Sequence, residues 1–378
     1  MKVAIDTSCL VVNPYSGLSE VARNLLLNMP VVAEDTYFTM FMNYFRGIGS
    51  PETYPGIDGC SLRLPRRLVD WWWKNNWPPF DLYLKEIDVF HSLHMQIPPA
   101  KKMKAILTVH DCRYLAFPEL YKAKEVESYR RQMEISLSRA GLVATVSEFT
   151  RQEVLNYFSF PEDRVKLIHN GFKAYLSNGA YNEENISRFI KENALPKDYL
   201  FYAGALDPRK NLGRLIEAMA RCREEEHDFP ALVIAGISYE QWARSDQAGV
   251  AKKLGVFDNI YLCGKVEKNI LVGLTKRALA LCYPSLYEGF GFPPLEAMSL
   301  GVPVLAGNVS SIPEVTANAA CLIDPLNVDD VAQGLRKVVS DSNYRKSLIK
   351  SGYQRIKKFS WEKAAVEYVN LYKEVLNL

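Results

Sequence analysis

The sequence predicts an α/β protein of two doubly wound parallel-sheet domains facing each other across a cleft. Three observations predict it. First, 378 residues exceed what one hydrophobic core usually organises. Second, short apolar runs rich in Val, Ile, Leu and Tyr recur at residues 3–5, 37–42, 105–109, 142–146 and 165–168, then at 199–203, 232–235, 260–263, 279–283 and 302–306. Each leads into a stretch of helical period, and unbroken apolar strands alternating with helices belong to parallel sheets covered on both faces. Third, residues 171–198 separate the two sets; they are polar and turn-rich, with only 186–190 periodic.

These signals place a first domain at residues 1–171, a linker at 172–195 and a second domain at 196–359. After Asn211, the expected N-cap, Leu212, Leu215, Ile216 and Met219 form one helical stripe. Residues 361–378 read as an amphipathic helix with Ala364, Tyr368, Leu371 and Val375 on one face. Functional groups in such folds gather at the carboxyl ends of the strands.

Composition narrows the function. The balance of 46 basic and 43 acidic residues, net +3, exerts no global pull on nucleic acid. Asp6 interrupts the opening residues too early for a signal segment, and no apolar stretch reaches membrane-spanning length. Seven scattered cysteines, without any Cys-x-x-Cys pair, read as reduced thiols. The expectation is a cytoplasmic protein, at most peripheral at the inner face of the cytoplasmic membrane.

The richest stretch lies at residues 283–298, where Glu288 and Glu296 stand eight positions apart across a turn of glycines and prolines. Gly289 and Gly291 let backbone approach a ligand, and bare N–H groups at a helix start favour anionic oxygen. Carboxylates accept hydroxyls. Phosphate and polyol together suggest a nucleotide sugar. The plainer alternative makes the glycines turn formers and the glutamates helix-end charges. Upstream, Arg209 and Lys210 lie just before a helix start, where fixed positive charge would meet a diphosphate or merely face solvent. In the first half, the strand at 105–109 runs into His110 and Asp111. That pair reads as a buried histidine steadied by its neighbour or as a functional group at a strand end. His91 and His94 read as local structure. No Asp-x-Asp and no His/Cys/carboxylate group of ligand-like spacing occurs, so no metal is expected.

Basic residues and tryptophans alternate through residues 63–77, with Arg63, Arg66, Arg67, Trp71, Trp72, Trp73, Lys74 and Trp77. Two readings stand: the indoles pack into the first domain, or they meet a lipid headgroup interface, helped by Lys101, Lys102 and Lys104.

The run Pro284-Ser285-x-x-Glu288-Gly289-Phe290-Gly291, then Glu296-Ala297-Met298, then Gly301-x-Pro303-Val304, resembles the donor-site signature of the GT-B-fold retaining glycosyltransferases of family 4. Ser310-Ser311-Ile312-Pro313-Glu314 and the His110-Asp111 to Pro118-Glu119 segment fit the same family. The resemblance covers most of the chain and implies the GT-B fold, two Rossmann-like domains, with the final helix crossing back onto the first. It implies that Glu288 holds donor-sugar hydroxyls, Glu296 holds the ribose, and the Phe290 and Gly291 amides face sugar and phosphates beside Gly289. Arg209 and Lys210 would neutralise the leaving diphosphate. Many members carry arginine directly after the glycine of that loop, whereas this chain has Ala205, so Arg209 would take over that charge. His110, with Asp111, would approach the donor sugar, and Gly17 would lie in the loop beside its phosphates.

The likeness is strongest to mannosyltransferases of polysaccharide assembly. It implies a retaining hexosyltransferase needing neither cofactor nor metal, with GDP-mannose as donor and a glycan or lipid-linked saccharide as acceptor. A UDP-hexose donor, a sugar-nucleotide epimerase and a non-catalytic nucleotide-sugar or glycan-binding module are the alternatives.

Overall fold

The computed structural model describes residues 1–45, 52–174 and 182–378, with the Arg66 side chain left aside. Residues 175–181 of the expected linker are outside the described residues. The chain forms two compact units, Met1–Gly171 with Phe359–Leu378, and Phe172–Lys358.

In the first unit, strands β1 (Lys2–Asp6), β2 (Tyr37–Asn43), β3 (Ile57–Leu62), β4 (Val89–Ser92), β5 (Lys104–Val109), β6 (Leu142–Thr145) and β7 (Val165–Leu167) make one sheet. Its order is β3-β2-β1-β4-β5-β6-β7, and every pairing is parallel. The order turns back between β1 and β4. In the second unit, β8 (Tyr199–Ala203), β9 (Ala231–Ala235), β10 (Ile260–Gly264), β11 (Ala280–Tyr283), β12 (Val304–Gly307) and β13 (Cys321–Ile323) follow the order β10-β9-β8-β11-β12-β13, again all parallel. Here the reversal falls between β8 and β11. Strands β4 and β11 are buried along their whole length, as the apolar runs require of a sheet covered on both sides.

The stripe Leu212, Leu215, Ile216 and Met219 is buried in the second unit's core. Asn211 does not cap that helix with its side chain. It adopts a left-handed conformation and donates instead to the Pro284 and Pro325 carbonyls, at 3.2 and 2.6 Å. Its side-chain amide is thus committed to two carbonyls rather than to the helix start. Gly17, expected within a loop, instead opens the Gly17–Val32 helix, because Ser16 accepts a hydrogen bond from the Ser19 amide and caps it there. Within the expected linker, Glu183–Glu192 is a helix whose Ile186 is fully buried. It packs beside Gly273 and groups with the second unit.

The Trp361–Leu376 helix belongs to the first unit. Gly171 makes its approach possible, since a Cβ there would sit 2.3 Å from the Trp361 amide nitrogen. Its buried face includes Ala364, Tyr368, Leu371, Tyr372 and Val375. A polar thread runs through this apolar contact. His91 Nδ1 lies 2.7 Å from the Tyr372 hydroxyl and Nε2 lies 2.7 Å from Thr108 Oγ1. Thr108 Oγ1 is 3.1 Å from the Tyr368 hydroxyl, and Tyr372 reaches Met29 Sδ at 3.6 Å. One proton arrangement satisfies all four bonds: Nδ1–H donates to Tyr372, Tyr372 to sulfur, Thr108 to Nε2, and Tyr368 to Thr108.

That arrangement needs a neutral imidazole. Burial, aided by the nearby His110, lowers the His91 pKa from 6.5 to about 3. The unfolded chain takes up a proton near 6.5, so the contribution of His91 is whole above that pH and is lost as pH falls toward about 3. Thermal unfolding followed from pH 7 to 4 should show a falling Tm, and His91→Gln should flatten the decline. At neutral pH the same substitution should cost about 1–3 kcal/mol through its unmet hydroxyl partners.

Candidate active site

The reversal falls between β8 and β11, so the loops that follow these strands lie side by side at the carboxyl edge of the second sheet, the place where such sheets put functional groups. The loop after β8 carries Asp207, Arg209 and Lys210, and the loop after β11 carries Glu288 to Gly291. A backbone hydrogen bond, Leu286 N–H to the Arg209 carbonyl at 2.7 Å, ties the two loops together.

Lys210 and Glu288 meet at the centre of this arrangement. Lys210 Nζ is 2.6 Å from Glu288 Oε1 and 3.0 Å from the Tyr283 hydroxyl, with Nζ also 4.8 Å from the Tyr283 ring centroid. Both charged side chains are largely buried, with 22% and 14% exposed. The phenol beneath them stays protonated: burial raises its pKa well above 10, and Glu288 raises it further. Tyr283 therefore acts as a neutral shelf for the ammonium.

Arg209 is paired in its turn. Its amide donates to Asp207 Oδ1 at 3.0 Å, Nε donates to the same oxygen at 3.2 Å, and a terminal nitrogen contacts Oδ2. Burial alone would raise the Asp207 pKa, but the hydrogen bonds and charge of Arg209, with Lys210 beyond, hold it below the usual carboxylate range. Ala205 is exposed, and its carbonyl accepts from the Tyr202 hydroxyl at 3.2 Å.

Two serines fix the glutamate loop. The Glu288 amide donates to Ser310 Oγ at 3.1 Å, while Ser311 Oγ lies 2.8 Å from the Glu288 carbonyl and 3.0 Å from that of Phe290. Ser310 holds φ +55, a conformation unfavourable for a residue with a side chain. Gly291, at φ +101, then swings the chain into the Phe292–Ser299 helix, which carries the half-buried Glu296 one turn in. Sequence reasoning assigned no role to Tyr283, Asp207 or Ser310. The signals available were a polar end to an apolar strand, an acid two residues before Arg209, and the serine pair already matched to the family.

In the first unit, His110 and Asp111 follow β5, and the exposed Gly17 opens the helix beyond β1. His110 Nε2 is sealed from solvent and has no hydrogen-bond partner among the described residues. The ring bonds to the Leu93 backbone, which favours its protonated form, but burial and the nearby His94 prevail and lower its pKa to about 4. At neutral pH Nε2 is thus an unmet polar atom at a strand end. Asp111 Oδ1 accepts from the Arg113 amide at 3.2 Å. The site residues therefore form two groups, one in each unit at the carboxyl edge of its sheet.

The tryptophans divide. Trp73 is buried and Trp72 half-buried against Phe80, whereas Trp71 and Trp77 are exposed. The packing reading therefore holds for Trp72 and Trp73, while Trp71 and Trp77 are left uncovered in the first unit.

Gly291 gives a direct test of the turn. A Cβ there would lie 2.7 Å from Ile312 Cδ1, and the positive φ adds strain. Gly291→Ala should lower stability by about 1–3 kcal/mol, read by chemical denaturation.

Comparison with known proteins agrees with this geometry. The family described as "Glycosyl transferases group 1" matches residues 183–355, and "Glycosyltransferase Family 4" matches residues 48–174. The chain is 31% identical over 287 residues to O-antigen chain mannosyltransferase B of Escherichia coli, covering 75% of this chain and 74% of that one. It is 27% identical over 277 residues to the serotype-specific mannosyltransferase WbdA of Escherichia coli, covering 69% of this chain and 32% of that protein. The structure of sucrose-phosphate synthase from Thermosynechococcus elongatus superposes with a TM-score of 0.74 at 20% identity, covering 100% of this chain and 99% of that one. Two all-parallel Rossmann-like sheets, the paired Lys210 and Glu288 at the second sheet's reversal, and these matches show that the chain belongs to the family 4, group 1 glycosyltransferases of GT-B fold and is a hexosyltransferase.

Proposed function

We propose that the protein transfers mannose from GDP-mannose to a hydroxyl of a glycan or lipid-linked saccharide, with retention of configuration and without a metal. The observation that carries the proposal is the Lys210–Glu288 pair, a cation and a hydroxyl acceptor held 2.6 Å apart beside a glycine turn. The mannosyltransferase relative favours the sugar and the class of acceptor.

In this reading the donor separates the pair. Lys210 turns to the diphosphate, with Arg209 beside it, and Glu288 is released to accept sugar hydroxyls. Glu296 accepts from the ribose, while the Gly289, Phe290 and Gly291 backbone lies against the phosphates. The glycosidic C–O bond to phosphate loosens first, its electron pair leaving with the diphosphate. The acceptor hydroxyl then attacks from the same face, and its proton passes to a phosphate oxygen. Stabilising the departing charge is the main task of the protein groups. Fixed cations on the loop after β8 supply it, so no metal is required. His110 would meet a ligand hydroxyl through its unmet Nε2 once that covered atom is opened to the donor, with Asp111 and Gly17 near strand ends of the same unit.

Residues 63–77 support peripheral attachment. Trp71 and Trp77 are 64% and 65% exposed and Leu68 53%, with exposed Arg67, Lys74, Lys101 and Lys102 nearby in sequence. Indoles flanked by cations suit an anionic lipid surface at the cytoplasmic face.

Transfer is tested with purified enzyme, a panel of GDP-, UDP- and ADP-sugars and a mannosyl acceptor, with and without EDTA. Turnover of GDP-mannose unaffected by EDTA supports the reading; selective turnover of a UDP-hexose would replace the donor, and donor consumption without acceptor would indicate epimerisation. Lys210→Ala should lower kcat by about a hundredfold or more while thermal unfolding stays cooperative. Trp71→Ala/Trp77→Ala should reduce sedimentation with phosphatidylserine vesicles at low salt, and no sedimentation of the parent protein would remove the membrane role.

A further inference from the structure

A cavity of about 250 Å3 opens on the first unit between the Arg66–Asn75 helix, residues 96–97 and the Ala123–Arg139 helix. It holds none of the donor-site residues, and shares Trp73 and Lys74 with the segment at residues 63–77. Asp70, Trp73 and Lys74 reach it at i, i+3 and i+4 spacing, and Ser128, Gln132 and Ile135 reach it from one stripe of the facing helix. Leu68 and Trp71 are not among its lining residues, so the cavity is separate from the exposed apolar strip.

Its polar groups are already organised. Gln96 Nε2 lies 3.4 Å from Asp70 Oδ1 and 3.1 Å from Gln132 Oε1, and Gln132 Nε2 lies 3.1 Å from Ser128 Oγ. This row of carboxylate, amide, amide and hydroxyl offers donors and acceptors in alternation. Trp73, Ile97 and Ile135 give the cavity apolar surface. The Trp73 indole N–H is buried and lacks a hydrogen-bond partner among the described residues. A saccharide presents the complementary pattern, hydroxyls around the edge of a ring and C–H groups on its face. Lys74, Arg131 and Arg139 also line the cavity beside Asp70, and Arg139 is engaged by the Ile97 and Trp73 carbonyls. The amide and hydroxyl row with Trp73 favours a saccharide, and inorganic phosphate is the competing occupant. The volume falls below the ~300–1,000 Å3 of drug-sized pockets, so one sugar ring fits better than a long chain.

Placement gives the cavity a meaning. The Ala123–Arg139 helix returns from the carboxyl edge of β5 to the amino end of β6. Its lining residues run from Ser128 to Arg139, away from the edge where His110 lies. The geometry points to a second, non-catalytic saccharide subsite that grips a sugar of the glycan acceptor remote from the one being extended. The inference rests on the glycan-acceptor reading proposed above.

The experiment is saturation-transfer NMR of α-linked mannotriose with the full chain, beside GDP binding and mannosyl transfer to short and long acceptors. In Ser128→Trp, whose new side chain fills the cavity from its exposed rim, and in Gln132→Ala, mannotriose affinity should fall at least tenfold. GDP affinity should be unchanged, KM for the long acceptor should rise, and turnover of a monosaccharide acceptor should persist. Mannotriose binding that is absent in the parent protein, or unaltered in both variants, overturns the subsite. So does inorganic phosphate binding that depends on Arg131 and displaces the sugar. If mannotriose binding depends on the cavity but no nucleotide sugar is turned over, the transfer reading fails while the subsite stands.

Discussion

The half-buried contact between Lys210 and Glu288 is the interaction on which the second unit's site depends. Two opposite charges that are largely withdrawn from water stabilise each other only when held in close register. The fold supplies that register by making β8 and β11 neighbours and directing their loops to the same edge. Everything nearby maintains it: the Leu286–Arg209 backbone bond, Asn211 spanning Pro284 and Pro325, the serine pair beneath Glu288, and the Tyr283 ring under the ammonium. A lysine and a glutamate left unpaired at this depth would carry two desolvation costs. Pairing them stores both groups in a form that an anionic, hydroxylated ligand can exchange.

Much of this was legible in the sequence, for identifiable reasons. Parallel strands buried on both faces must be apolar throughout, so short runs of Val, Ile and Leu marked most of them. Residues whose positions are local in sequence, such as Glu288 through Glu296, announced themselves by spacing. What could not be read came from pairs distant in sequence. Nothing near Tyr283 states that Lys210 rests upon it, 73 positions away. Asn211 looked like a cap because capping is a local rule, yet two carbonyls brought in by the fold claimed its amide. The tryptophans could not be apportioned from a helical wheel alone, since the position of Phe80 decided which indoles were covered. His91 resembled ordinary scaffold, and its partner Tyr372 lies 281 residues downstream.

The two units solve a similar problem with different materials. In the second, opposed charges keep the strand ends furnished; in the first, a neutral histidine with an unmet nitrogen does so. His110 can remain neutral because burial makes the charged imidazole costly.

The Trp361–Leu376 helix has a consequence for how the molecule is made. It covers β4 and β5, strands synthesised more than 250 residues earlier. During translation the first unit emerges early, yet its sheet lacks the cover that His91, Thr108 and the apolar face around Gly171 require. Vectorial folding, domain by domain from the amino end, cannot complete it. Of the two units, the one synthesised earlier is the one closed later, and until then its uncovered face needs protection.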